Sequence, residues 1–557
     1  MSPAARAAGA SDAERAQEDA QRILQLQAQR DRQAQEELDR ALQKPSGADT
    51  SAPPRRPPPP PGTGCFDIKT LTIEGATRIG PARLADLRRR YTGRCIALRD
   101  IDALMQDLTH DYLAQGYVTS RVYVPEQDLS RGELTLLVIE GTVSDVRAKG
   151  AKGKPAGVSL ATAFPDRKGK ILDLRDFEQG LDQINRLPSN AATMTIEPAG
   201  KLGASVVTIT NHRSRPWSLS ATLDNSGSPS TGQYQASVDL GLDDLLGLND
   251  LIGLNARTNT NPDGKAHLSQ DVGGFISAPY GYWLLTLNGS DFRFASQTVT
   301  AVSTLVSTGS TATYGARLDR VMFRNGSVKW TLGADVSVRD IENRLDGQLI
   351  QTSSHRFATV GLSSNLTAKM LGGLLGLDLG MVRGLPVLGG AADASGAGPE
   401  VPRADYTKLT YGATFTGLLL PRSLGLTVQN SLSGQYAARA LYGTDQILIG
   451  SLYSVRGFRD GGVSQNSGWY DRSEIGRSFF SDRIKGGGMV RPYLGFDVGH
   501  AYASHGDPGG TLAGVTAGLS VRLGKVDAEL AFSQPVHRMS GVSRGDSHGF
   551  FQVSGRF

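Results

Sequence analysis

Residues 526–533 read Val-Asp-Ala-Glu-Leu-Ala-Phe-Ser. Successive side chains of an extended strand point to opposite faces. Val526, Ala528, Leu530 and Phe532 therefore share one side, and Asp527, Glu529, Ala531 and Ser533 the other. The same two-residue period runs through 217–224 (WSLSATLD), 233–243 (QYQASVDLGLD) and 515–523 (VTAGLSVRL). From Trp217 to Phe557 there is no convincing helical pattern, and the stretch is too long for one ordinary sandwich. Strands of roughly 9–12 residues suit a tilted membrane crossing. At roughly 21 residues per strand and loop, the segment holds about 16 of them. The chain ends in the same alternation, Phe551, Val553, Gly555 and the aromatic Phe557. Closing such a sheet leaves no unpaired edge in lipid. The fold expected is a transmembrane antiparallel β-barrel over 214–557, preceded by a helix and two α+β modules.

Composition agrees once it is divided along the chain. The mean hydropathy of −0.24 and the lack of any apolar run of 18 residues exclude a helical membrane protein. Alternation hides a barrel from such averages. A net charge of +5 over 557 residues is mild, and no nucleic-acid partner is expected. Two G-x-S-x-G matches, Gly541–Gly545 and Gly545–Gly549, lie in the loop before the last strand. A hydrolase nucleophile needs a strand running into a helix, so both read as a hairpin tip. No metalloprotease or nucleotide-binding motif occurs and the eight histidines are scattered. The expectation is no enzyme, no catalytic residue, no metal and no cofactor.

Residues 1–44 form the first unit. Over 11–44 they are rich in the helix formers Gln, Arg, Glu and Ala, and Ser11 with Glu14 reads as a capping box. Ile23, Leu24, Leu26, Leu38 and Leu42 are too few for a wide stripe. A helix polar nearly all round belongs in water or a wet cavity. Residues 45–64 are a proline-rich linker able to reach about 60 Å. Two similar units follow, 65–141 and 142–213. Leu98-Arg-Asp-Ile101 and Leu174-Arg-Asp-Phe177 open helices of matching period, each followed by two strands, so tandem β-α-β-β modules are expected. The extended segments are 68–74, 117–124, 134–140, 192–196 and 205–210.

Cys65 and Cys95 lie 30 positions apart in the first module, and no other cysteine exists. Paired, they would stabilise it by roughly 3–4 kcal/mol and point to an oxidising compartment. The alternative is two buried thiols; a zinc site lacks further ligands. The chain opens without an apolar leader, so the barrel reading carries the expectation that one has been removed.

Tyr453-Ser-Val-Arg-Gly-Phe458, followed by Arg459-Asp-Gly-Gly462 and Gly468-Trp-Tyr470, resembles the V-R-G-[YF] element of the two-partner secretion transporters, the TpsB family within the BamA-like superfamily. Gly116-Tyr-Val-Thr-Ser-Arg121, Pro125–Ser130, Gly132 and Ile139-Glu-Gly141 resemble its first POTRA module. Asn185-Arg-Leu-Pro-Ser189 resembles the second. Asp224–Gly227 and Leu245–Asp250 resemble its first barrel hairpin, and Gly495-Phe-Asp-Val-Gly499 its barrel-wall element. The run around Arg456 and the cysteine pair lie nearest the haemolysin and contact-dependent inhibition branch.

The resemblance implies a plug helix (1–44), a linker (45–64), POTRA 1 (65–141), POTRA 2 (142–213) and a pore in the bacterial outer membrane. It implies that the long sixth loop folds into the lumen, carrying Val455, Arg456, Gly457 and Phe458. Arg456 then pairs with Asp497, near Gly499. Arg472 and Glu474 support the pair, although Ser473 replaces the family's Asn. The implied function is ATP-independent export of one large exoprotein, an adhesin, haemolysin or contact-dependent inhibition toxin. That partner would be recognised through its N-terminal secretion domain by β-augmentation. Candidate contacts are Ile101, Leu104, Leu108, Tyr112, Tyr117 and Val118, with a core role as the alternative for the helical four. Further implied partners are outer-membrane lipids and the barrel assembly machinery, through Phe557; the chain is expected to be a monomer. Rival readings are a BamA-like insertase and a passive diffusion porin.

Overall fold

The computed structural model describes residues 20–27, 29–30, 64–153, 155–264, 266–299, 303–393, 398, 400–419, 422–458, 462–484, 487–504, 509–539 and 547–557. The linker over 45–63, the expected capping box and the loop 541–546 lie outside them.

Sixteen antiparallel strands, from Trp217–Asp224 to His548–Arg556, close into one barrel. Closure is made by five register pairs between first and last strands, Gln552↔Asp224 to Arg556↔Ser220. The alternation sorts as the lipid demands. Trp217 and Leu223 are exposed on the outer face, while Asp224 faces inward and binds Arg257 at 2.8 Å. Strands Trp283–Val299, Thr304–Arg324 and Val328–Leu345 have 17, 21 and 18 residues, more than a tilted crossing needs. Along the last, the outward side chains change from Trp330, Leu332 and Val336 to Asp340, Glu342 and Arg344. The upper third of this wall therefore stands outside the membrane.

In POTRA 1 a three-stranded sheet runs in the order Thr70–Glu74, Glu133–Ile139, Arg121–Tyr123, covered by helices Pro81–Tyr91 and Leu98–Ala114. The first of these helices and the split of 68–74 into Cys65–Ile68 and Thr70–Glu74 were not visible in the periodicity. Cys65–Ile68 pairs with Arg94–Ala97, and the Cys65–Cys95 disulfide joins them. POTRA 2 orders its sheet Thr142–Gly150, Ala204–Asn211, Ala192–Pro198 around helix Leu174–Asn185. The expected strand 117–124 shortens to Arg121–Tyr123.

The family-like residues cluster at the joint between the modules. A side chain at Gly141 would meet Thr119 Oγ1 at 2.0 Å, and the Gly141 amide donates to Ser120 Oγ (3.2 Å). Leu174 N donates to Gly116 O across the joint (2.9 Å). Glu140 accepts from Thr77 N (2.7 Å), Thr77 Oγ1 (2.5 Å), Arg78 N (2.9 Å) and Tyr112 OH (2.6 Å).

POTRA 2 docks under the barrel. Phe177, Leu181 and Ile184 face the module core, but Glu178, Gln179, Asp182 and Gln183 are buried too. Arg324, from a periplasmic strand end, reaches Asp182 Oδ2 (2.7 Å) and Gln179 Oε1 (2.9 Å). Arg186 donates to Ser277 Oγ (2.5 Å) and Asn249 O (2.7 Å). Asn249, from the Leu245–Asp250 turn, donates to Ser159 O (2.7 Å).

Burial pushes the Glu140 carboxyl up, and the hydrogen bonds from Thr77, Tyr112 and Arg78 outweigh it, holding the group below the ordinary glutamate range. A depressed folded-state value means stabilisation present above the unfolded value of about 4.3 and lost as pH falls through the folded one. Hydrogen exchange at the Leu136 amide in the full chain is expected to report a POTRA 1 opening free energy that drops below about pH 4. Glu140→Gln is expected to lower it by about 1–2 kcal/mol at pH 7 and to flatten the acid slope. An unchanged slope would remove Glu140 from this role.

Candidate functional site in the barrel lumen

The loop between strands Leu426–Ala437 and Gly468–Arg477 folds back into the barrel. Its sequence explains the path. Ile447–Ile449 pairs with Val463–Gln465 as a small two-stranded ribbon, and Ile447, Ile449, Val455 and Phe458 bury against Tyr470, Ala501 and Leu512 of the wall. Arg456 sits at the centre, 3% exposed, against Asp497, which is 0% exposed. Arg456 Nε and its backbone N donate to Asp497 Oδ2 (2.6 and 3.0 Å), and Nη2 donates to Oδ1 (2.8 Å). Its Nη1 donates to Glu474 Oε1 (2.8 Å), and Arg491 Nη1 donates to the other oxygen of Glu474 (3.4 Å). Arg472 donates to Tyr453 O (3.4 Å). The bidentate geometry uses the planar guanidinium in a way that a lysine could not reproduce.

Small residues give the loop its seat. A Cβ at Gly499 would meet Ile449 Cγ2 at 2.6 Å and Val455 Cγ2 at 2.9 Å, and one at Gly514 would meet Arg456 O at 1.8 Å. Gly457, at φ +102°, turns the chain where a Cβ would meet Gln534 C at 2.8 Å. The structure thus brings Val455, Arg456, Gly457, Phe458, Glu474, Asp497 and Gly499 together, with Arg472 on the loop backbone.

Beside this loop a helix occupies the lumen over residues 20–27 and 29–30. Gln27 donates to Asp271 (2.7 Å), which also pairs with Arg30 at 3.5 Å. Gln29 donates to Leu448 O (3.1 Å) and accepts from Ser451 Oγ (2.8 Å); Gln25 accepts from Ser464 Oγ (2.6 Å). The helix lies in the wet lumen, and its few apolar residues meet one apolar patch: Ala20, Ile23 and Leu24 are buried against Phe292, Phe294, Ile341, Phe357 and Ala404 at the outer mouth. Two adjacent apolar residues give no stripe, so periodicity could not find this patch.

Of the contact candidates in POTRA 1, the four on the helix take the alternative, core role. Ile101, Leu104, Leu108 and Tyr112 are 0–5% exposed and form the module core. Tyr117 packs on that core and Val118 on the core of POTRA 2. A helix covering a sheet must turn its apolar stripe inward, so the four helical residues offer no free face, while Tyr117 and Val118 are only partly buried. Exposed apolar groups of the module include Tyr123 and Val124 at the outer edge of its sheet, besides Leu98 and Leu137.

Residues 203–521 match a family model described as haemolysin secretion/activation protein ShlB/FhaC/HecB. Residues 66–141 match a POTRA domain of ShlB type, and 142–198 a further POTRA domain. The chain is similar to the outer membrane transporter CdiB of Dickeya dadantii, 34% identical over 492 residues, 88% of this chain and 84% of the relative. It is also similar to the hemolysin transporter protein ShlB of Serratia marcescens, 29% identical over 475 residues, 84% of this chain and 82% of that one. Among solved structures, CdiB from Escherichia coli superimposes with a TM-score of 0.88 at 31% identity, covering 97% of this chain and 99% of that chain.

Removing one partner of a buried ion pair strands the other, at about 3–5 kcal/mol. Arg456→Ala and Asp497→Ala should each lower the melting temperature of the detergent-solubilised barrel. The double variant should fall short of the sum of the two, because the stranded charge is gone. Full additivity would show that the two side chains are not coupled. Gly514→Ala, which changes no charge, should shift melting in the same direction by displacing the Arg456 carbonyl.

Proposed function

Because this chain belongs to the ShlB/FhaC/HecB family of haemolysin secretion/activation proteins, we propose that it exports one large partner exoprotein through the barrel, from periplasm to cell surface, without ATP. The barrel lies in the outer membrane with its POTRA modules in the periplasm. The observation that carries the reading is a lumen occupied by a helix held largely through side-chain amides, above a module docked at the periplasmic end of the barrel. A helix so held can leave; a barrel strand cannot.

In this reading the unfolded partner, an adhesin, haemolysin or contact-dependent inhibition toxin, presents its N-terminal secretion domain to an open POTRA edge. Edge Arg121–Tyr123 is the candidate, with Tyr123 and Val124 exposed beside it. Backbone pairing there tolerates many sequences, while alternate side-chain pockets select the partner. Departure of the helix clears the lumen, and folding of the partner outside draws the rest through. Arg456 and Asp497 fix the loop to the wall so that the cleared passage keeps its shape. Phe557, exposed at the end of the last strand, is read by the barrel assembly machinery during insertion, and the working unit is a monomer.

Deleting the gene is expected to abolish surface delivery of a single exoprotein while other outer-membrane proteins stay at normal levels. Broad loss of unrelated barrels would overturn the reading in favour of an insertase. Arg456→Ala should reduce secretion at least about tenfold while the barrel still reaches the membrane, measured by the exoprotein in the medium against heat-modifiable barrel on gels. Undiminished secretion by that variant would refute the role given to the loop.

A further inference from the structure

The infolded loop carries a second buried charged group, which faces another part of the wall than Arg456 does. Asp445 is 4% exposed. Its Oδ2 accepts from Arg339 Nη2 (2.6 Å), and its Oδ1 accepts from Tyr406 OH (2.9 Å) and Lys408 Nζ (3.3 Å). Its backbone carbonyl accepts from Gln435 Nε2 (2.9 Å) and Lys408 Nζ (3.2 Å). These donors come from strands Val328–Leu345, Thr407–Leu418 and Leu426–Ala437 and the turn before Thr407. Asp445 therefore pins the outer limb of the loop at the extracellular mouth, whereas Arg456 pins the loop on strand Gly488–Ala501.

The short turn that carries Asp445 also carries Tyr442, whose carbonyl accepts from the Asp445 amide (2.8 Å). The Tyr442 ring lies 4.7 Å from His355 and 5.0 Å from Phe357, and packs on the cluster that buries Ala20, Ile23 and Leu24. Arg339 ties the two features together, pairing with Asp445 while its guanidinium lies 5.5 Å from the centre of the Phe357 ring. A side chain at Gly443 would meet Gln25 Nε2 at 2.8 Å. Loop groups that touch the lumenal helix include several in 442–451 and Ser464. Those in 442–451 lie along the limb that Asp445 anchors.

We propose that Asp445 is the positioning residue that retains the plug helix: by pinning the 442–451 limb to Arg339, Tyr406 and Lys408 it holds Tyr442 over the pocket occupied by Ile23 and Leu24. Release of this outer anchor opens the pocket and frees the helix, while the Arg456–Asp497 anchor keeps the loop attached to the wall. The two anchors thus divide the labour, one for passage shape and one for closure. Neutralising Asp445 would replace its charge-assisted hydrogen bonds with Arg339 and Lys408 by weaker neutral ones, which loosens the limb. The inference rests on reading residues 20–30 as a removable plug, and not on the identity of any exported partner.

The test uses the full chain, whose two native cysteines are paired, with Leu24→Cys as a reporter, 4% exposed in the wild type. Labelling by a membrane-impermeant maleimide at the cell surface is followed in four backgrounds. Asp445→Asn is expected to label at least about tenfold faster than the reporter alone, with Asp445→Glu close to the reporter rate and the barrel equally heat-modifiable on gels. Tyr442→Ala, which leaves Arg339, Tyr406 and Lys408 in place on Asp445, should label about as fast as Asp445→Asn. The same two variants should raise channel activity in planar bilayers. Reporter-rate labelling in Asp445→Asn overturns the proposal. If Asp445→Asn does not form a barrel, Tyr442→Ala decides in the same way. Faster labelling in Asp445→Asn, together with broad loss of unrelated barrels on deletion of the gene, would sink the transport reading and leave this inference standing.

Discussion

Hydrocarbon offers no hydrogen-bond partner to a peptide group, and everything else in this molecule follows from satisfying that demand with strands. Each unpaired backbone group in lipid costs several kcal/mol, so the sheet must close on itself, and the five pairs joining Asp224–Ser220 to Gln552–Arg556 complete it. Closure with 16 strands makes a lumen too wide for wall side chains to fill. A lumen of that width, lined by Asp224, Asp271, Glu474 and Asp497, would be an open leak. The chain therefore has to supply its own filling, and any filling that must later move has to be held differently from filling that must stay.

The loop shows how permanent filling is built. Its Arg456 reaches a fully buried carboxylate with three hydrogen bonds, and four apolar loop side chains are buried beside it. Each of those contributes about 1.5–3 kcal/mol on burial, and an unpaired Asp497 would add a further penalty. The lumenal helix is held otherwise. Its contacts include two large apolar side chains, a few amide hydrogen bonds contributing about 0.5–1.5 kcal/mol each, and the longer, partly exposed Arg30–Asp271 pair. Water entering the lumen can replace the amide bonds group by group. It cannot replace the Arg456 pair without leaving charges in a dry seat.

What the sequence made legible follows the range over which each signal acts. The barrel is a local signal repeated many times, so alternation in 217–224 and 526–533 predicted strands whose registers agree with it. The loop motif and its wall partner are separated by 41 positions, and resemblance rather than periodicity brought Arg456 and Asp497 onto one page. Other features depend on contacts that no local pattern encodes. Glu178, Gln179 and Asp182 look like a solvated helix face, and are buried only because Arg324, 142 positions beyond Asp182, lies against them. Ile101, Leu104, Leu108 and Tyr112 were legible as an apolar stripe, yet a stripe does not say whether it faces a sheet or a partner. The module sheet claims all four.

The same logic explains why closure belongs at the outer mouth. The tall wall formed by Trp283–Val299, Thr304–Arg324 and Val328–Leu345 stands above the membrane, where its outward face is already polar. Its inward face is then free of the lipid's demands and can carry Phe292, Phe294 and Ile341, an apolar patch in an otherwise wet passage. An aromatic nest in water attracts the nearest apolar side chains, here Ile23 and Leu24. Because the attraction is non-directional, it does not fix the helix by itself; the polar contacts along Gln25, Gln27 and Gln29 set its register. A closure assembled from one weak apolar contact and several replaceable hydrogen bonds is stable only while its lid is held down. The residue that holds the lid therefore decides how tightly the barrel is shut.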